Sequence, residues 1–256
     1  MFEVSVLASG SSGNCFFIGS PKADILVDVG ISTKQIVTRL NKIGKKIENI
    51  KGIFISHEHY DHVRGIETLS RKFNIPVFVN KGTLWNSYLD MGNVQLIETD
   101  DDFDFHGLKI LPFSKSHDAG EPVGYSIRSK GKTISVMTDL GFGCGNCCES
   151  LKESDLVILE TNHDVGMLKN SSYPNFLKKR IAGKKGHLSN YDAALMVLEH
   201  GKSNLQHVLL SHLSLNNNLP ELALKTFNSI VGERSDLRKL KSWMTYREHP
   251  TKIIKI

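Results

Sequence analysis

The sequence predicts one α/β domain of two sheets with helices outside them. Three observations lead there. Short apolar runs bounded by turn residues alternate with stretches of helical periodicity along the chain. The alternation lacks the strict strand–helix–strand rhythm of one parallel sheet, and the middle of the chain, residues 94–137, is rich in strands. The 256 residues are 40% hydrophobic and 23% charged, enough for one sizeable core, since a chain of about 250 residues buries roughly three quarters of its unfolded surface.

The elements follow in order. Phe2–Leu7, Cys15–Ile18, Ile25–Val29 and Ile53–Ile55 are continuous apolar runs and read as buried strands. Between the last two, Thr33–Ile43 places Ile36, Val37, Leu40 and Ile43 on one helical face. Asp61–Phe73 carries Val63, Ile66, Leu69 and Phe73 at the same spacing and is expected as one helix. Strands follow at Val77–Val79, Val94–Ile97, Leu108–Phe113, Val123–Arg128 and Thr133–Met137, with Lys130-Gly131 as a hairpin turn between the last two. Leu156–Glu160 is another strand. Ser189–Gly201 is a helix, capped by Ser189 with Asp192 three residues on and ended by Gly201. Val208–Leu210 is a strand, and Pro220–Val231 is a helix with proline in its first turn. Lys239–Ile256 reads as two strands around the turn Glu248–Pro250.

Composition excludes several classes of protein. The apolar and charged fractions are those of a globular chain, not a disordered tail or a collagen-like fibre. The longest apolar runs, Ala193–Leu198 and Leu156–Leu159, fall far short of the roughly 20 residues that cross a membrane. No basic-then-apolar leader follows Met1, and four cysteines do not make a disulfide framework, so the expected location is a reducing cytoplasm. A net charge of +5 favours an anionic partner.

The informative stretch is Ser56-His57-Glu58-His59-Tyr60-Asp61-His62, between a buried strand and a helix. Histidines two apart in extended chain point the same way, so His57 and His59 can grip one metal ion. Asp61 and His62 open the helix and turn toward a second position. Imidazole and carboxylate together suit Zn²⁺, Mn²⁺ or Fe²⁺. Cys144, Cys147 and Cys148 lack a fourth ligand for a structural zinc and are read as ordinary thiols, with a redox-sensitive pair as the alternative.

The pattern His57-x-His59-x-Asp61-His62 resembles the signature of the metallo-β-lactamase fold, which implies an αββα sandwich of two facing mixed sheets with helices on the outer faces. The fold's other landmarks occur in order, at Asp28, His117, Asp139 and His212. The resemblance implies that His57, His59 and His117 hold one ion, that Asp61, His62 and His212 hold the other, and that Asp139 bridges them. It implies a structural role for Asp28, a strand-end carboxylate tying loops beneath the site. Asp139 stands where true β-lactamases carry cysteine, which points away from antibiotic hydrolysis.

Further motifs are similar to the YycJ (WalJ) group of bacterial exonucleases. They are Ser9-Gly10-Ser11-Ser12-Gly13-Asn14, Glu160-Thr161-Asn162-His163-Asp164, Tyr173-Pro174, Leu177-Lys178-Lys179-Arg180-Ile181, Gly186-His187-Leu188-Ser189-Asn190 and His212-Leu213-Ser214. The group implies a cytoplasmic 5′-to-3′ DNA exonuclease of DNA repair, related to ribonuclease Z, in which two ions clamp the scissile phosphate and a bridging hydroxide attacks it. His187 is expected to bind the phosphate or protonate the leaving oxygen, Glu160 to orient His187, and His163 to assist. The basic cluster Lys178, Lys179, Arg180, Lys184 and Lys185 is expected to meet nucleic-acid phosphates. Ser9–Gly13 is read either as a cradle for a terminal phosphate or as a tight inter-strand loop. Only 72 residues separate Asp139 from His212, too few for a β-CASP insertion, so residues 1–256 are expected to form a single domain. His106, His200, His207 and His249 are read as structural or surface residues. The alternatives are an RNA-processing nuclease, a small-molecule phosphodiesterase or ester hydrolase of the same fold, or a non-catalytic scaffold.

Overall fold

The computed structural model describes residues 1–256. Along the chain the elements are β1 (Glu3–Ala8), β2 (Cys15–Gly19), β3 (Asp24–Val27), α1 (Thr33–Lys42), β4 (Ile50–Phe54), α2 (Tyr60–Val63), α3 (Ile66–Phe73), β5 (Val77–Val79), α4 (Lys81–Asn86), β6 (Val94–Leu96), β7 (Phe103–Phe105), β8 (Leu108–Ser114), β9 (Val123–Ser129) and β10 (Lys132–Met137). They continue with α5 (Gly145–Glu153), β11 (Leu156–Glu160), α6 (Val165–Asn170), α7 (Asn175–Ile181), α8 (Asn190–His200), β12 (His207–Ser211), α9 (Pro220–Val231), β13 (Lys241–Met244) and β14 (Ile254–Lys255).

The strands form two sheets of seven, in the orders β14-β1-β2-β3-β4-β5-β6 and β13-β12-β11-β10-β9-β8-β7. Both mix parallel and antiparallel pairs: β3–β4–β5–β6 and β10–β11–β12–β13 run parallel, while β1–β2–β3 and β7–β8–β9–β10 run antiparallel.

Why the strands read as unbroken apolar runs is now plain. Side chains alternate across a strand, and here both faces are covered. Phe16 and Ile18 of β2, Ile25 and Val27 of β3, Tyr125 and Ile127 of β9, and Ile158 of β11 fill the space between the sheets. Phe17 and Leu26 point the other way, into a layer with Ile36 and Leu40 of α1 and Leu69 of α3. Val157, Leu159 and Leu210 likewise meet Ala193 and Val197 of α8 and Phe227 of α9. The result is four layers, helix–sheet–sheet–helix.

The sequence differs from this structure at four places, the smallest being the three-residue strand β7, which went unread. The expected helix Asp61–Phe73 is two helices, α2 and α3, broken at Gly65. A Cβ there would lie 2.3 Å from the Ile31 carbonyl, and the Gly65 N–H donates to Val29, so the chain must bend against the β3–α1 loop. The two C-terminal strands are not a hairpin: β13 pairs parallel with β12, whereas β14 crosses over to pair with β1. Helices α4 to α7 went unread, because 6–9 residues carry too little of a helical period. The Lys130-Gly131 turn is as expected, with φ of 49° and 73°, the type I′ signature.

Candidate metal centre

Five of the seven expected ligands follow the end of a strand, where the parallel strands of both sheets discharge their loops on one edge, and the other two, Asp61 and His62, open helix α2 on that same edge. Asp28 follows β3, His57 and His59 follow β4, His117 follows β8, Asp139 follows β10, and His212 follows β12. Asp28, Asp139 and His212 have left-handed backbone, with φ of 56°, 57° and 56°. Such a conformation costs a non-glycine residue roughly 1–3 kcal/mol. At each of the three it turns the chain sharply at the sheet edge and aims the side chain inward.

The side chains converge. Ligand atoms of His57, His59 and His117 lie within 4.8 Å of one another, as do those of Asp61, His62 and His212, and those of His57, His62 and Asp139. His59 Nδ1 is 3.3 Å from His117 Nε2, and His212 Nε2 is 3.5 Å from both Asp61 Oδ2 and Asp139 Oδ1. Asp139 therefore sits between a three-histidine set and an Asp-His-His set, the geometry of two adjacent cation positions.

The hydrogen bonds behind four of these rings fix which nitrogen faces the cluster. Asp28 is fully buried and accepts from the Ser56 N–H, the Ser56 hydroxyl and His62 Nδ1, all at 2.8 Å. Because the Ser56 hydroxyl donates to Asp28, its oxygen can only accept from His57 Nδ1, 2.9 Å away. Thus Asp28 holds His62 directly, and His57 through Ser56, with the Nδ1–H committed behind the site and Nε2 turned toward the cluster. The Gly186 carbonyl does the same for His117 at 3.2 Å, and Glu160 Oε1 for His212 at 3.0 Å. This shell of acceptors is what imidazole ligands to metals require.

Electrostatics divide the cluster into two halves. Burial keeps His57 neutral, well below the usual imidazole range, and pushes His117 down to about 4. For His62 burial opposes protonation, yet Asp139, Asp28 and Asp61 outweigh it and push it up to about 10. The carboxylates on that side demand positive charge. Two buried atoms, His57 Nε2 and Asp139 Oδ2, have no hydrogen-bond partner at all, although His62 Nε2 lies 3.1 Å from the latter. Unpaired buried lone pairs cost about 1–3 kcal/mol each, and lone pairs crowded around one point fit divalent cations, which satisfy them together. The residues present therefore fit a dinuclear centre.

Glu160 does more than expected. Besides His212 it accepts from His187 Nδ1 at 2.7 Å and from the Leu140 N–H at 2.6 Å. It is fully buried. Burial opposes its ionisation, but chiefly His187 reverses this and holds it down to about 2. His187 stands at the edge of the cluster, 3.7 Å from Asp139 Oδ1, and lines the metal pocket with Arg180, whose guanidinium pairs with Asp118 at 2.7 Å.

The structure does not bring every expected residue here. His163 is buried and does not line the metal pocket; it lies behind His187 and walls a neighbouring cavity with Lys178 and Lys179. Lys184 and Lys185 are exposed outside the pocket lining, and the Lys184 carbonyl accepts from the Ser116 hydroxyl. Of the Ser9–Gly13 loop, Ser9 accepts from the His212 N–H at 2.6 Å and Ser11 lines the pocket. Cys144 Sγ is 3.4 Å from Cys147 Sγ.

Two residues were missed as members of the site. Asn14 reaches His62 Nε2 at 3.1 Å and Asp61 Oδ2 at 3.3 Å, and Ser56 relays Asp28 to His57. Ser56 directly precedes the first ligand, which was a usable signal; Asn14, 47 residues from Asp61 in sequence, offered none beyond its motif.

Fold and site together define the class. The chain belongs to the beta-lactamase superfamily, residues 24–213 matching the model of its domain. It is 34% identical over 236 residues to exodeoxyribonuclease YycJ of Bacillus anthracis, covering 90% of this chain and 89% of that protein. It is 36% identical over 233 residues to exodeoxyribonuclease WalJ of Streptococcus pneumoniae, covering 88% and 86%. In three dimensions it superposes on the metallo-beta-lactamase fold protein YhfI of Bacillus subtilis with a TM-score of 0.74, over 98% of both chains; at 14% identity that likeness shows the fold alone.

Proposed function

We propose that the protein is a metal-dependent phosphodiesterase that degrades DNA as a 5′-to-3′ exonuclease in DNA repair, in the cytoplasm. Residues 1–256 are read as a single domain of this class. The observation that carries the reading is Asp139 set between His57-His59-His117 and Asp61-His62-His212, with His187 beside it. The names of the YycJ and WalJ relatives support the substrate.

Two Zn²⁺ or Mn²⁺ ions, with Fe²⁺ as a further candidate, would be held by these seven side chains and would polarise a phosphodiester and lower the pKa of a water. The chain's own residues do the rest. Asp28, Gly186 and Glu160 accept the Nδ1 protons from behind, so that each Nε2 is the nitrogen turned to the ion positions. His187, held by Glu160, lines the pocket and is placed to hold a phosphate oxygen or give a proton to the departing oxygen. Arg180, with Lys178 and Lys179 on the same helix, supplies phosphate-binding charge, with Lys184 and Lys185 on the following loop.

The test is digestion of 3′-labelled single- and double-stranded DNA, with matched RNA alongside, in the presence of Mn²⁺ or Zn²⁺. Wild type should shorten DNA from the 5′ end, and His57→Ala should be inactive. Equal behaviour of the two proteins refutes the nuclease reading; faster loss of RNA refutes DNA as the substrate.

A further inference from the structure

Beside the metal pocket lies a second cavity that the chemistry above does not use. Its volume is about 420 Å³, within the range of small-ligand sites (about 300–1,000 Å³). His187 is the wall between the two, lining both. The cavity has an apolar side, formed by the buried Leu168 and the exposed Val165, and a cationic rim of Lys169, Lys178 and Lys179. Helix α7 thus divides its charge: Arg180 turns to the metal pocket and pairs with Asp118, while Lys178 and Lys179 turn to the cavity. The acidic residue in the lining, Asp192, is already engaged by the Ser189 hydroxyl at 2.6 Å.

His163 supplies the second observation. Its side chain lines this cavity, the residue is 3% exposed, and Nδ1 has no hydrogen-bond partner. A buried polar atom left unpaired is costly, and it persists where a ligand completes it. An apolar wall, an unpaired imidazole and three cations together fit a ligand that carries a phosphate, an apolar face and a hydrogen-bonding edge.

We infer that this cavity receives the terminal nucleotide of the DNA strand, with its 5′-phosphate on the Lys178–Lys179 rim and its base between Leu168 and His163. The inference rests on the nuclease reading for its ligand. The linkage to the second nucleotide then falls beside His187, at the mouth of the metal pocket. The cavity makes a phosphorylated 5′ end the preferred substrate and makes His163 a binding residue instead of a catalytic one.

The test needs neither metal nor turnover. Binding of 3′-labelled hexathymidylate, with a 5′-phosphate or a 5′-hydroxyl, is read by fluorescence anisotropy in EDTA at fixed salt. Wild type should bind the phosphorylated probe about ten-fold to a hundred-fold tighter, the worth of a charge-assisted phosphate contact. The double variant Lys178→Glu, Lys179→Glu should abolish that preference. Val165→Trp, an exposed position whose replacement fills the cavity, should abolish it as well. Equal binding of both probes by wild type, or a preference surviving both variants, overturns the inference. A protein that prefers the phosphorylated end but digests no DNA refutes only the nuclease reading; one that digests DNA without the preference refutes only the pocket.

Discussion

Asp28→Asn is the sharpest perturbation of the metal centre, because it changes almost nothing but hydrogen-bond polarity. Asparagine matches the carboxylate in size and tolerates the left-handed backbone at this position, φ 56°. One oxygen survives and keeps the Ser56 N–H at 2.8 Å. The other becomes an NH₂ that faces His62 Nδ1 and the Ser56 hydroxyl, each 2.8 Å from the native oxygen. Both partners must reverse. His62 Nδ1 becomes an acceptor, which puts the proton on Nε2. The Ser56 hydroxyl turns from Asp28 to donate to His57 Nδ1, which puts that ring's proton on Nε2 as well. One ligand from each proposed ion position is thereby blocked. Losing the acceptor behind a metal-binding imidazole reduces metal affinity about 10–100-fold, or roughly 1.4–2.7 kcal/mol. Without metal the rearranged network is still paired, so the apo protein should lose no more than about 1–3 kcal/mol. The assays are competition with a chromogenic chelator for Zn²⁺ or Mn²⁺ and thermal melts with and without EDTA. Metal affinity equal to wild type would refute the tautomer relay. A collapse of the apo protein would show that Asp28 serves the fold and not the ligands.

Three further outcomes are expected. The Glu160 carboxyl is held down to about 2 against an ordinary 4.5, so its stabilisation is complete above about pH 4.5 and disappears as the pH falls toward 2. In urea titrations Glu160→Gln should therefore be destabilised at pH 7, and the gap from wild type should close over that window; a gap independent of pH contradicts the assignment. Gly141→Ala would place a Cβ 1.9 Å from the Lys184 carbonyl. It should cost about 3 kcal/mol or more by forcing apart the loop after Asp139 and the loop before His187, and a melting temperature within a degree or two of wild type would sink that account. The Cys144 thiol is held down to about 6, first by the neighbouring Cys147 thiol. Alkylation by iodoacetamide, followed by mass spectrometry across a pH series, should mark Cys144 ahead of the other cysteines with a midpoint near that value, and Cys147→Ser should move the midpoint up.

What could be read from the sequence was local chemistry. His57, His59, Asp61 and His62 lie within six residues, so their spacing alone pointed to metal chemistry at the end of a strand. The helices α8 and α9 were legible to the residue, because Ser189, Gly201 and Pro220 mark their ends by short-range backbone chemistry. The resemblance extended the ligand set to His117, Asp139 and His212, which the fold then brought to the same edge.

Tertiary structure alone decided how those residues are held and what lies next to them. Glu160 serves both His187 and His212, which are 27 and 52 residues away in sequence. The Asp28–Ser56 contact that orients two rings spans 28 residues. His163 and His187 line the same cavity, but only His187 also lines the metal pocket. The last strand leaves its predicted partner to close the opposite sheet. The physical reason is common to all four. A ligand's identity depends on side-chain type, which sequence displays, whereas its tautomer, its acceptor and its neighbouring cavity depend on which strand ends the two packed sheets bring together.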